Sequence, residues 1–190
     1  MKFTKMHGLG NDYVYVNGFT EHVADPSKLA RLVSDRHTGI GSDGLIIIHP
    51  SKQADVCMEM YNADGSRGEM CGNGIRCVAK YAVERGLAPG PKLRIETDAG
   101  IKAVECVMEG GKVASVRVDM GRPELKAKAI PTRITADCVV EYPLRIGGVE
   151  YHGVGIAHRD AGDTVIDPAD SQRIIDHAIR SDPRRDRLRL

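Results

Sequence analysis

At 190 residues the chain has room for one or two domains with a substantial core. Its 27 lysines and arginines against 26 aspartates and glutamates give no electrostatic case for nucleic acid or an anionic membrane as partner. No apolar run approaches the roughly 18–20 residues of a membrane-spanning helix, and the N-terminus is too polar for a signal peptide, so a soluble cytoplasmic protein is expected.

Lys2 to His7 reads as a short strand, followed by a Gly8-Leu9-Gly10-Asn11-Asp12 turn and a second strand at Tyr13-Val14-Tyr15-Val16. The two glycines are not a dinucleotide fingerprint, because no third glycine follows at Tyr13 and no helix opens there. Asn11 either closes the turn, since asparagine tolerates left-handed geometry, or offers its amide to a ligand. Asp25-Pro26-Ser27 marks a helix start, continued by Leu29, Ala30, Leu32 and Val33. Thr38 to Gly44 is a glycine-rich connection without the Gly-Lys-Ser/Thr ending of a phosphate loop. Leu45-Ile46-Ile47-Ile48 follows as a compact apolar strand expected to be buried on both faces, and Val56 to Tyr61 as another strand.

The next stretch organises the chain. From Ile75 the apolar residues Ile75, Val78, Ala79 and Ala82 keep i, i+3, i+4, i+7 spacing, with Arg76, Lys80 and Glu84 off the stripe. Cys71-Gly72-Asn73-Gly74 therefore falls at a helix N-terminus, where unpaired N–H groups and the positive end of the dipole collect. A thiol held there is expected to ionise more readily than a free one, and the glycines let a carboxylate approach the backbone donors. A carboxylate site beside a reactive thiol is the expectation.

The five cysteines, Cys57, Cys71, Cys77, Cys106 and Cys138, contain no C-x-x-C pair, which argues against a disulfide framework and a structural zinc; no metal is expected. Cys57 and Cys106 lie in alternating runs and read as small strand or core residues. Beyond the helix, Leu93 to Thr97, Ile101 to Met108 and Val113 to Met120 read as strands. The proline-bearing connection from Arg122 to Thr132 marks an expected boundary between residues 1–121 and 122–190. Val139 to Ile146 and Val149 to Val154 resemble a hairpin, and Asp167 to Ile179 a helix. The arginine-rich end from Arg180 reads as a short solvated, partly disordered tail rather than a basic contact arm.

Three segments resemble the diaminopimelate epimerase family in the same order: Phe3 to Tyr13, Asp35 to Gly44, and Tyr61 to Ser66 with Glu69 to Arg76. The resemblance covers roughly residues 1–150. It implies an α+β fold in which strands wrap around a central helix, as the first of two pseudo-symmetric domains with an incomplete second. It also implies a cofactor-independent isomerase that converts LL-diaminopimelate to the meso isomer, in lysine and peptidoglycan-precursor biosynthesis. Cys71 matches one of that family's two catalytic thiols, and Asn11, Asn62, Gly72 and Asn73 match positions that bind the amino-acid substrate; a homodimer is allowed.

The resemblance fades after Gly155. The Asn-Pro-His segment, the Glu-Arg pair and the second Cys-Gly motif expected of the family do not follow, and no cysteine occurs beyond Cys138. Cys77 is a poor substitute, since six residues along one helix it does not reach the far face of a substrate held at Cys71. Two readings accommodate this: a truncated or frame-shifted product that loses register near Val154, which is favoured, or a short form that takes its opposing thiol from another chain. On either, this chain alone is expected to have little or no epimerase activity. A non-catalytic amino-acid-binding fragment and another racemase or isomerase of the same fold are the alternatives.

Overall fold

The computed structural model describes residues 1–121, 126–129, 142–146 and 149–153. The chain divides at Gly121 into two units, and nearly all described structure lies in the first.

The first unit is one mixed sheet curled about a helix. Its strands are β1 (Thr4–Gly8), β2 (Asn11–Asn17), β3 (Gly44–His49), β4 (Val56–Asn62), the two-residue β5 (Arg67–Gly68), β6 (Lys92–Thr97), β7 (Gly100–Glu109) and β8 (Lys112–Val118). They lie in the order β1-β2-β3-β4-β6-β7-β8, with β5 paired to β4. The helices are α1 (Pro26–Ser34), between β2 and β3, and α2 (Gly72–Glu84), between β5 and β6. Neighbouring strands are antiparallel except β2 with β3 and β4 with β6, which are the two pairs joined across a helix.

Those two crossovers explain the layering. The chain advances along the sheet in the same sense both times, but β4 runs opposite to β3. Right-handed connections therefore put α1 and α2 on opposite faces. β3 lies between them. Ile46 and Ile48 pack with Ile75, Val78, Ala79 and Ala82 of α2, while Leu45 and Ile47 pack with Ala30 and Val33 of α1. The unbroken apolar run of β3 is thus buried on both faces, as its composition predicts.

Helix α2 touches β1, β2, β4, β6, β7 and β8, so the strands wrap around it. A side chain at Gly74 would meet Ile46 Cδ1 at 2.7 Å, which places the first turn of α2 directly on the sheet. Helix α1 starts where Asp25 Oδ1 accepts the Lys28 N–H at 2.9 Å, with Pro26 at its first position. The seam between β4 and β6 is short, only Val56 with Ile95 and Cys57 with Glu96, extended by hydrogen bonds between Asp55 and Arg94.

Beyond Gly121, Tyr142–Ile146 and Val149–Gly153 form an antiparallel hairpin, β9 and β10, the pair expected from Val139 to Val154. The expected helix at Asp167 to Ile179 and the arginine-rich tail lie outside the described residues.

Candidate active site

Strand register gathers the expected site residues on one rim of the sheet. β1 ends at Gly8, paired with Asn11 where β2 begins. β3 begins at Gly44, paired with Asn62 where β4 ends. α2 starts on the same rim, because its first residues bond to Asn11.

Cys71 is the residue that caps α2. Its backbone is extended (φ −134°, ψ 118°), its carbonyl takes the Ile75 N–H, and its sulfur accepts the Gly74 N–H at 3.3 Å. On another side the thiol donates to Asn11 Oδ1, also at 3.3 Å. The same oxygen accepts from Asn73 Nδ2 at 3.5 Å, and Arg76 donates to Asn73 Oδ1. Gly72 opens the helix, with Met120 Cε 3.5 Å from where its side chain would begin. Asn11, Cys71 and Asn73 thus form one hydrogen-bonded group, with Gly72 between two of its members. Asn62 stands on the same rim but bonds within its own turn, donating from Nδ2 to Ser66 Oγ at 3.0 Å. Helix α1 anchors that turn, since Ser27 Oγ donates to Gly65 O at 2.8 Å and Arg31 to Asp64 O at 3.3 Å.

A cluster of charges behind Asn11 was not singled out by the sequence. Asp43 Oδ2 accepts from Asn11 Nδ2 at 2.7 Å and from the Asp12 N–H at 3.0 Å. Arg36 bonds both Asp12 oxygens, at 2.7 and 3.2 Å, and Asp43 Oδ1 at 2.9 Å, while Lys5 lies 3.1 Å from Asp12. The Arg36 guanidinium, outweighing partial burial, holds the Asp12 carboxyl down at about 2. The one available signal was an acidic residue closing the glycine-rich loop immediately before β3.

Two tyrosines of β2 line the buried side. Burial, and next the Cys71 thiol, push the Tyr13 hydroxyl above its usual range. Burial, and next Cys77, do the same to Tyr15, whose hydroxyl makes no hydrogen bond of good geometry. Both phenols are therefore neutral neighbours of the cysteines. Cys57 is pushed up to about 11, and Cys77 and Cys106 also upward, burial leading in each. Cys57 and Cys106 stand in β4 and β7, as their alternating runs predict. A separate cavity of about 790 Å³, lined in part by Asp55, Lys92, Arg94 and Glu105, involves β6 to β8 and none of the rim residues. Among the described residues no cluster of side chains is arranged to hold a metal, and no helix is long and apolar enough to cross a membrane.

A sequence model of the diaminopimelate epimerase family matches residues 3–126, the span that holds the sheet, α2 and the whole rim. The chain belongs to the diaminopimelate epimerase family. The diaminopimelate epimerases of Acetivibrio thermocellus and Agathobacter rectalis are 54% identical over 151 residues and 53% identical over 160 residues, each alignment covering 80% of this chain. They cover 54% and 56% of those proteins, so the chain spans about half the length of the curated relatives it matches. Among solved structures, a hydroxyproline epimerase from Agrobacterium vitis, with bound trans-4-hydroxy-L-proline, aligns with a TM-score of 0.50 at 18% identity. That alignment covers 61% of this chain and 40% of the other, and the likeness is one of fold. The diaminopimelate epimerase-like α+β architecture expected from the sequence is the one observed.

Proposed function

We propose that this chain supplies one of the two acid/base thiols of a diaminopimelate epimerase, with Cys71 exchanging the α-proton of LL-diaminopimelate. The observation that carries this is the Cys71 sulfur at the start of α2, set between a hydrogen-bond acceptor, Asn11 Oδ1, and a donor, Gly74 N–H. A sulfur so placed has a partner in both of its protonation states, which suits a group that takes up and releases a proton in turn.

The chemistry follows from the rim. The thiolate removes the α-proton and becomes the thiol, and negative charge develops over the α-carbon and its carboxylate. Helix geometry leaves the N–H groups of Gly72 and Asn73 without intrahelical partners, and they point where that carboxylate is proposed to bind. Asn11, Asn62 and Asn73 supply the polar contacts for the amino-acid end. Nothing in this scheme calls for a pyridoxal electron sink. Inversion needs a second proton donor on the opposite face of the α-carbon, and no described thiol is placed to be it. Cys77 is buried one to two turns further along α2, and Cys57 pairs with His49 at the far end of β4. The proposed setting is cytoplasmic synthesis of lysine and the peptidoglycan precursor.

Protection from alkylation tests the site without requiring turnover. Saturating LL-diaminopimelate is expected to slow iodoacetamide labelling of Cys71 at least tenfold and to leave Cys57 unchanged. Unprotected Cys71 would overturn the assignment. With the same chain in deuterated water, rapid conversion to deuterated meso product would overturn the view that Cys71 is only half of the machinery. Slow α-deuteration lost in Cys71→Ala separates an acid/base thiol from a mere binding fragment.

A further inference from the structure

The polarity of the amide contacts around Cys71 is set by charged residues at both ends. A carboxylate only accepts and a guanidinium only donates. Asp43 Oδ2, 2.7 Å from the Asn11 amide, therefore takes its NH2 and turns Asn11 Oδ1 towards Cys71. Arg76 takes Asn73 Oδ1 and turns the Asn73 NH2 towards that same Asn11 oxygen. Two independent charges thus impose one direction on the chain Arg76, Asn73, Asn11, Asp43. Asp43 is itself held, since Arg36 bonds its other oxygen at 2.9 Å and the Asp12 N–H shares Oδ2 at 3.0 Å.

We propose that Asp43 is a positioning residue that locks the Asn11 amide with its oxygen against the Cys71 sulfur, and so fixes the orientation of the thiol hydrogen. The consequence is an asymmetric setting for the sulfur. Asn11 Oδ1 is a partner for the thiol only, whereas the Gly74 N–H suits the thiolate. Were the amide free to rotate, its NH2 would serve the thiolate as well, and the two states would no longer be held apart by a fixed acceptor. A carboxylate on the amide nitrogens also polarises the amide and strengthens its oxygen as an acceptor. This rests on Cys71 being the reacting thiol, as proposed above.

Other titratable groups also face the sulfur. From β2 come Tyr13, whose hydroxyl interacts with both Cys71 and Asn11, and Tyr15, both held neutral. From α2 come Cys77, pushed upward by burial, and Arg76, engaged with Asn73. β1 presents Met6 and Gly8 towards α2, with Lys5 and His7 exposed on its other face.

The test is the pH profile of Cys71 alkylation in the full chain, followed by mass spectrometry, for the native protein, Asp43→Asn, Asn11→Ala and the double variant. Asp43→Asn is expected to move the half-maximal rate of Cys71 labelling to lower pH by roughly half a unit, about what one exchanged hydrogen bond supports. In the Asn11→Ala background the same substitution is expected to move it far less. Equal shifts in both backgrounds would mean that Asp43 acts only through its charge, and no shift would mean that it does not act; either overturns the lock. The native chain offers a second readout independent of how the variants fold. In a nitrogen-15 sample the Asn11 side-chain NH2 is expected to show nuclear Overhauser contacts to the Asp12 amide proton. Contacts to the Cys71 β-protons instead would overturn the orientation. Diaminopimelate is absent from these experiments, so their failure and that of the protection assay remain distinguishable.

Discussion

Replacing Asp12 by asparagine measures what the charge cluster behind the rim contributes to folding. The Asp12 carboxyl is held at about 2 against an ordinary 3.8, chiefly by its hydrogen bonds to Arg36 and then by Lys5. A folded-state value below the unfolded one means that native Asp12 holds its proton less tightly. The stabilisation is therefore complete above pH ~4 and disappears as the pH falls towards 2. The full displacement is worth about 2.4 kcal/mol as a ceiling. Arg36 and Lys5 are 54% and 40% exposed, although Asp12 itself is only 15% exposed, so solvent screens both pairs. About 1 kcal/mol is the contribution expected after that screening. The chain has no tryptophan, so unfolding in urea is best followed by far-ultraviolet circular dichroism. At pH 6 Asp12→Asn is expected to unfold about 1 kcal/mol more easily than the native chain, and the gap should narrow steadily between pH 4 and pH 2. Other carboxyls held low, such as Asp64 and Glu84, are common to both proteins and cancel. A gap of the same size at pH 6 and pH 2.5, or none at pH 6, would show that the Asp12 charge does not stabilise the fold through Arg36 and Lys5.

Two further outcomes follow from the same structure. Gly44→Ala puts a methyl group 2.1 Å from the Tyr61 carbonyl oxygen, and because that atom is backbone the β3–β4 pair has to part. A loss of about 3 kcal/mol is expected, read as a fall in thermal midpoint, and a fully stable variant would contradict the register. For alkylation of the native chain at pH 8, Cys71 should label first of the four described cysteines. Cys57 at about 11 has roughly one thiolate in a thousand at that pH, and Cys77 and Cys106 are buried and shifted the same way. Peptide mapping that finds Cys57 or Cys106 modified ahead of Cys71 would refute this.

Most individual elements were legible because their cues are local. Asp25-Pro26 marks the start of α1, the apolar stripe from Ile75 marks α2, and Leu45 to Ile48 declares its own double-sided burial. β5 was not visible, since Arg67-Gly68 is too short to show a period and exists only by pairing with Met60 and Tyr61. Strand order was not visible either. That β2 pairs parallel with β3, and β4 with β6, depends on where two helices return the chain. In the site, Cys71 and its neighbours were legible from the helix start. Asp43 reads in the sequence only as part of a glycine-rich connection, because its partner Asn11 lies 32 residues earlier and only the sheet brings the two together.

The short β4–β6 seam has a mechanical consequence. β1 to β4 and the β6–β7–β8 meander are each stitched by registers of five or six residue pairs, while the strand pairing between them is two residue pairs and the Asp55–Arg94 bonds, supplemented by side-chain bonds of Glu96 to Ser51 and Gln53 and of Arg67 to Asp98. Helix α2 bridges the join by touching strands on both sides, so it acts as a clasp across it. Asn11, Asn62 and Asp43 belong to the β1–β4 piece, and Cys71 and Asn73 belong to the clasp. The residue that caps the clasp, Cys71, is the one proposed to react, so the proposed reacting group sits on the element that spans the join.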